Sequence, residues 1–293
     1  MTLTTHLNDK QSPFRKLVED CAPALATAAG QSKAGKEFAT QLGFYDLVKA
    51  PLVVPLPEEV QDKRRHSPTV GTAFDIRTRM MLGQFEPSHS ASALGVRAFA
   101  LMYARLMKDG ERITDMLADS FREAENLMIQ GAEEDKDRAS IIFTWCEALY
   151  RAGLRALFSS LGERLHASKT VGELFASIPP AMLADVSNLR AANQGQVEHW
   201  RTMIHGGANY TENPYFTGAS LVGGADGDWF IDDTLFEFKV VDTIRAPWVR
   251  KVLMQLLGYL ILDLDNDYQA KRIGIWLPRQ ATIRTWEIEE ILG

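Results

Sequence analysis

The sequence has few cysteines and no long apolar run. Its 293 residues include only two cysteines, Cys21 and Cys146, which lie far apart. Two thiols cannot form a four-cysteine zinc or iron–sulfur site, and such low cysteine usage fits a reducing cytoplasm better than a disulfide scaffold. The longest mostly apolar run, 252–264, is too short to cross a bilayer. Residues 1–10 lack the basic start and apolar run of a signal peptide, so we expect a cytoplasmic protein with no membrane partner.

The sequence also has no excess of positive charge. It contains 32 Lys and Arg against 38 Asp and Glu, which gives a formal net charge of -6. A chain of this charge has no global field that attracts nucleic acid, so a nucleic-acid partner would have to be held by a local basic patch. The six histidines show no H-E-x-x-H spacing, which argues against a zinc hydrolase.

Two patterns divide the chain. Residues 12–200 have helical composition and apolar spacing, with helices expected near 113–130, 138–160, 170–177 and 181–193. One expected helix face carries Phe99, Met102, Tyr103 and Leu106. After about residue 205, glycine turns and short β-branched runs predict strands near 219–222, 227–231, 234–241, 271–277 and 282–288, with a helix at 247–264. This order predicts a mixed α/β fold.

The most informative segment is a hairpin near residue 230. If residues 232–233, both aspartates, form a two-residue turn, Trp229 pairs with Phe236 on a mainly apolar face. The same register predicts that Asp228 lies opposite Glu237 on the other face.

That register also predicts that Asp226 lies opposite Lys239. Two opposed carboxylates repel, and covering Asp228 and Glu237 with a helical layer would cost several kcal/mol each unless a cation or a proton compensates. A divalent cation between them would resolve the conflict, and their hard oxygen ligands suit Mg²⁺ or Mn²⁺. The alternative is a solvated hairpin whose charges face water. Because Asp228→Ala removes one of the repelling charges, we expect it to leave the thermal midpoint unchanged or raised.

Three segments resemble the PD-(D/E)XK nuclease superfamily, especially its RecB-like and phage-exonuclease branches: Gly224–Asp228, Glu237–Lys239 and Gln255–Tyr259. The last is similar to the Q-x-x-x-Y helix of that family, and its first and last residues share one helical face because they are four residues apart. A further segment, Gly71–Arg77, resembles the first helix of the family, with Asp75 where many members have His or Glu.

The resemblance implies a core sheet flanked by helices and metal-dependent hydrolysis of phosphodiester bonds. It implies that Asp228 and Glu237 bind the metal ion, helped by the backbone carbonyl of Phe238. Asp226 and Asp228 are alternatives for the metal-binding aspartate of the family motif. Lys239 would orient the attacking water or help to deprotonate it.

Three further residues complete the implied site. Gln255 and Tyr259 join the catalytic set, and Asp75 would be an additional metal ligand. Because phosphodiester hydrolysis needs very large acceleration, a metal ion is more plausible than a lone carboxylate.

The implied domain organisation has three parts. Residues 1–60 would form a helical N-terminal extension to a nuclease-like domain, 61–293. The core of that domain would comprise about 69–82 and 205–293, and about 90–200 would form a helical insertion. The insertion could support a homo-oligomer or a protein partner.

Basic side chains near the implied site are candidate phosphate contacts: Arg245, Arg250, Lys251 and Arg77. Such cations neutralise phosphates without reading sequence. We therefore expect a metal-dependent nuclease in repair, recombination or phage defence, with DNA favoured over RNA. One alternative is a catalytically silent nuclease-fold module that binds DNA or protein. Another is a helical assembly protein in which the hairpin charges are incidental.

Overall fold

The structure is a computed structural model that describes residues 2–107, 109–158 and 160–293. It divides into two compact units, which we describe separately. The first unit comprises Met1–Pro55 with Thr202–Gly293, and the second comprises Leu56–Arg201. Among the described residues, no helix combines the length and the apolar content that membrane crossing requires.

The first unit begins with five short helices: α1 (Leu3–Asn8), α2 (Pro13–Cys21), α3 (Pro23–Thr27), α4 (Lys33–Gln41) and α5 (Phe44–Lys49). Serine residues start two of them. The Ser12 hydroxyl accepts the backbone N–H of Arg15 before α2, and the Ser32 hydroxyl accepts that of Gly35 before α4. Each serine satisfies an N–H group that the helix itself leaves unpaired.

The second unit is helical throughout its named elements: α6 (Lys63–Leu82), α7 (Ala91–Ala98), α8 (Gly110–Gln130), α9 (Glu133–Ala152), α10 (Ser160–Ala167), α11 (Val171–Ala176) and α12 (Pro180–His205), which runs into the first unit. The predicted helices near 113–130, 170–177 and 181–193 are confirmed. The one predicted over 138–160 ends earlier, since α9 is followed by a 3-10 segment, Gly153–Phe158.

The apolar pattern around residue 100 does not form the expected regular helix. Phe99–Tyr103 is a π-helical turn, and a 3-10 turn, Ala104–Leu106, follows. Phe99 is buried, whereas Met102 and Leu106 are exposed. Changing the number of residues per turn moves side chains off the face that a regular α-helix would give them.

The first unit then continues with β1 (Tyr210–Glu212), β2 (Trp229–Ile231), β3 (Thr234–Phe238), α13 (Ala246–Leu262), β4 (Arg272–Leu277), β5 (Thr282–Glu287) and α14 (Ile288–Leu292). The strands form one five-stranded sheet in the order β1-β2-β3-β4-β5. The β3–β4 pair is parallel and the other pairs are antiparallel. The structure is therefore mixed α/β, with α13 as the crossover between two parallel neighbours.

Strand predictions after residue 205 are confirmed for β2 to β5 and wrong for 219–222. Residues Ala219–Val222 form a 3-10 turn, which ends at Gly223 with a left-handed φ of 72°. The strand β1 was not predicted, because three residues carry no usable alternation.

The N-terminal helices share one hydrophobic core with the sheet. Leu3, Val18 and Phe44 belong to the same buried cluster as Phe230 on β2 and Leu256 on α13. This grouping differs from the predicted division, in which 1–60 is a separate extension and 69–82 belongs to the core. Residues 1–55 pack with the sheet, and α6, which contains 69–82, belongs to the second unit. Burial of apolar surface is non-directional, so it decides which segments share a core without regard to their order in the chain.

Candidate functional site

The hairpin between β2 and β3 has the predicted register. Trp229 pairs with Phe236 and Ile231 with Thr234, which confirms the two-residue turn at 232–233. Asp232 adopts a left-handed φ of 59°, a conformation that aspartate tolerates better than most residues.

Asp228 lies directly before β2, next to the end of β3. The last pair of the ladder on this side is Trp229–Phe236, one pair short of the expected Asp228–Glu237 pair. Instead, the Asp228 Oδ2 atom accepts the backbone N–H of Phe238 at 2.8 Å. The carboxylate therefore holds the end of β3 by a hydrogen bond, and the Asp228 side chain remains 35% exposed.

Beyond Asp228 the expected pairing with β3 is not found. Asp226 forms an antiparallel bridge with Tyr215, whereas the backbone N–H of Lys239 bonds to the Trp276 carbonyl on β4. Gly227 is closely packed at this point, since a Cβ there would lie 3.0 Å from both a Leu235 and a Pro214 side-chain atom. The predicted Asp226–Lys239 pair is thus wrong.

Glu237 is the buried centre of the site. It is only 1% exposed, and its Oε1 atom accepts the Gln255 amide at 3.0 Å and contacts the Lys239 ammonium group. The other oxygen, Oε2, is buried and has no hydrogen-bond partner among the described residues. Burial first, and then the Asp228 charge, raise the pKa of Glu237 to about 8, although Lys239 and Gln255 oppose the shift. An unsatisfied carboxylate oxygen of this kind is costly, because it has lost its water without gaining a partner.

Lys239 lies between the two carboxylates. Its Nζ atom contacts Glu237 Oε1 and lies 4.0 Å from Asp228 Oδ2. Burial acts against the charge, but Glu237 and Asp228 outweigh it and hold the pKa of Lys239 above its ordinary value. Lys239 is therefore protonated near neutral pH, a state suited to orienting oxygen atoms and unable to accept a proton.

The crossover helix α13 supplies two polar groups. The Gln255 Nε2 atom donates to Glu237 Oε1 and, at 2.7 Å, to the Tyr259 hydroxyl oxygen. This contact confirms that Gln255 and Tyr259 share one helix face. Burial, followed by the Glu237 charge, raises the pKa of Tyr259, so its hydroxyl stays neutral.

Two predicted site residues belong to the second unit. Asp75 on α6 forms an ion pair with Arg79 at 2.6 Å, and its role as a metal ligand stays a prediction. Arg77 is 2% exposed, and its guanidinium binds Asp137 at 2.8 Å and contacts Glu133. Because these acids already engage Arg77 inside the unit, we leave it out of the proposed phosphate contacts.

The three cations near α13 differ in their surroundings. The side chains of Arg245, directly before the helix, and of Lys251 are exposed and have no hydrogen bond or ion pair with any described residue. Arg250 is half-buried, and its Nη1 atom donates to the carbonyls of Ala26 and Ala28, both at 3.3 Å. Arg250 and Lys251 line a cavity of about 230 Å³ on the first unit. These cations remain available to an anion, whereas Arg77 does not.

The donor set permits a divalent metal ion but does not enclose one. Within the described ranges, no three His, Cys, Asp or Glu side chains gather into a metal centre. Mg²⁺ is commonly held by only one or two carboxylates, with water and substrate phosphate completing its shell. Asp228 and Glu237, with the unsatisfied Oε2 atom of the latter, fit that requirement. The Phe238 carbonyl and Asp226 stay predicted ligands.

Sequence reasoning missed Tyr215, which the bridge to Asp226 brings to the edge of this site. The available signal was an aromatic pair, 215–216, directly after an Asn-Pro step.

Comparisons of this chain with family models, with curated proteins and with solved structures find no match.

Proposed function

We propose that this chain is a metal-dependent nuclease that hydrolyses phosphodiester bonds of DNA. The observation that carries the proposal is the buried Oε2 atom of Glu237, which lacks a partner in the described part of the chain. It belongs to a carboxylate whose pKa is raised by burial and then by the Asp228 charge, and which contacts Lys239. Perturbed carboxylates with a lysine and an unsatisfied oxygen are characteristic of functional sites.

We further propose that the sheet with α13 is a PD-(D/E)XK-type core. The supporting features are the hairpin with Asp228 and Glu237, the adjacent Lys239, and the helix that returns Gln255 to Glu237. Both cysteines are unpaired, which supports a reducing compartment such as the cytoplasm.

Asp228 and Glu237 would hold Mg²⁺ or Mn²⁺. When bound, such an ion supplies Lewis acidity toward a phosphate oxygen and lowers the pKa of water. Gln255 holds Glu237 in place through Oε1, which leaves Oε2 free to bind a cation. Protonated Lys239 orients the attacking water and offsets the charge of a phosphate.

Arg245, Arg250 and Lys251 would contact the DNA backbone. They lie directly before α13 or in its first two turns, and Arg250 and Lys251 are within two turns of Gln255. Because such contacts are electrostatic, we propose binding without sequence preference, weakened by salt.

The test compares wild type, Glu237→Gln and Asp232→Asn on linear and circular DNA with Mg²⁺, Mn²⁺ or EDTA. Asp232→Asn is a matched control because it removes one charge from the same hairpin, at an exposed turn position where asparagine accepts a positive φ. We expect metal-dependent degradation by wild type and control and none by Glu237→Gln. Cleavage by Glu237→Gln at the wild-type rate would refute the proposal. DNA binding by wild type without cleavage under any metal condition would instead identify a silent binding module.

A further inference from the structure

Tyr215 presents an exposed aromatic ring from a firmly held backbone. Its side chain is 64% exposed. The residue bridges Asp226, and its carbonyl accepts the Tyr268 hydroxyl at 3.1 Å. On the adjoining residues, the Gly227 N–H bonds to the Pro214 carbonyl at 3.2 Å. The side chain is therefore exposed, whereas the backbone that carries it is held by hydrogen bonds.

The neighbouring residue connects Tyr215 to the carboxylate site. Phe216 is buried, and its ring stacks on that of Tyr259 with centroids 5.3 Å apart and an interplanar angle of 15°. The Tyr259 hydroxyl accepts the Gln255 amide, which also donates to Glu237. A continuous series of contacts thus runs from the buried carboxylate to the segment that carries the exposed ring.

The bridge to Asp226 gives the ring its direction. Directly opposed residues in an antiparallel pair project their side chains to the same side, with Cβ atoms about 5 Å apart. The Asp226 charge also raises the pKa of Tyr259, after burial and the charges of Glu237 and Asp228, so Asp226 is close to the site. The Tyr215 side chain therefore leaves the backbone on the same side as that of Asp226, two residues before Asp228.

We propose that Tyr215 is a stacking platform for an unpaired nucleobase of the substrate strand, next to the phosphate that is cut. This inference rests on the proposed nuclease function and specifies its substrate as a single strand or a frayed end. An exposed aromatic ring can hold a single strand by stacking, and it tolerates any base because every base has a π-face.

The test measures binding of the full chain to a short fluorescent single-stranded oligonucleotide in EDTA, where metal-dependent cleavage cannot occur. Wild type is compared with Tyr215→Leu, which removes the ring, and with Tyr215→Phe, which keeps it. Tyr150→Leu is the matched control, since Tyr150 of the second unit is 54% exposed. We expect Tyr215→Leu to weaken binding about 5- to 100-fold, and the other two variants to bind within about twofold of wild type.

An abasic scan tests stacking directly. Replacing one nucleotide at a time by an abasic unit should reduce wild-type affinity at one position, and Tyr215→Leu should show no such loss there. Equal affinities of Tyr215→Leu and wild type, or identical scans, would overturn this inference. Cleavage dependent on Glu237 would then still support the nuclease proposal. Absence of any oligonucleotide binding by wild type would overturn this inference alone, because the nuclease proposal is decided by metal-dependent cleavage of DNA.

Discussion

The Lys239 ammonium group contacts one oxygen of the buried Glu237 carboxylate, and the other oxygen has no partner among the described residues. One cation therefore compensates only part of the negative charge that Glu237 and Asp228 bring together. The predictions below follow from this incomplete compensation and from the bonds that hold the two carboxylates.

Metal-free protein should lose stability as Glu237 ionises. Its pKa rises from an ordinary 4.5 to about 8 on folding, so in this window the folded state keeps a proton that the unfolded state releases. The free energy of unfolding must then fall as pH increases through the window. We expect the thermal midpoint, measured in EDTA from about pH 5 to about pH 8.5, to fall further in wild type than in Glu237→Gln.

The raised pKa of Lys239 does not obscure this effect. The stability that it contributes is complete below the ordinary lysine value of 10.5 and is lost only as pH rises through the higher folded value. Mg²⁺ should restore the midpoint of wild type at the alkaline end, because it binds the ionised carboxylate. Parallel pH profiles of wild type and Glu237→Gln would contradict the prediction.

Two substitutions of Asp228 should differ in stability. Asp228→Asn removes the charge but keeps an oxygen that can accept the Phe238 N–H, so the thermal midpoint should be unchanged or raised. Asp228→Ala leaves that N–H without its acceptor, at a cost of about 1–3 kcal/mol that relief of repulsion only partly offsets. This prediction differs from the expectation from sequence, in which the alanine variant leaves the thermal midpoint unchanged or raised.

Urea unfolding of both Asp228 variants in EDTA measures the difference. Both should also lose metal-dependent cleavage. An alanine variant as stable as the asparagine variant would show that the bond to Phe238 contributes nothing.

Gln255 should act by positioning Glu237. Gln255→Leu removes both of its bonds, so we expect metal-dependent cleavage to fall about 10- to 100-fold and the Mg²⁺ requirement to rise. Tyr259→Phe removes only the second bond and should have a smaller effect. Titration of the cleavage rate with Mg²⁺ checks both effects. A Gln255→Leu variant with the wild-type rate and Mg²⁺ dependence would contradict this role.

Arg77 should matter for stability and not for DNA affinity. Arg77→Ala breaks the buried ion pair with Asp137, which costs about 3–5 kcal/mol of unfolding free energy. Arg190, at 3.0 Å, is then the remaining partner of Asp137. Arg138→Ala is the control, since its pair with Glu134 is exposed and should contribute under about 1 kcal/mol. Thermal unfolding measures both. Weakened DNA binding by a folded Arg77→Ala variant would contradict this prediction and support the phosphate contact predicted from sequence.

Local rules predicted the parts of the site that depend on nearby residues. A two-residue turn fixes which residues face each other, and a separation of four places Gln255 beside Tyr259. Partners distant in sequence were beyond such rules. The acids that engage Arg77 lie more than fifty residues away, and Asp226 pairs with Tyr215 through an isolated bridge outside the strands, which has no sequence period.

The polar groups that meet around Glu237 all come from the continuous stretch 226–259, one hairpin followed by its crossover helix. Only short loops must close to bring them together, so the arrangement depends little on the distant order of the chain. Lengthening the connection between α13 and β4 should therefore leave the carboxylates, the lysine and the glutamine in their mutual positions. New segments could be grafted there to alter what the protein binds without changing the arrangement of these groups.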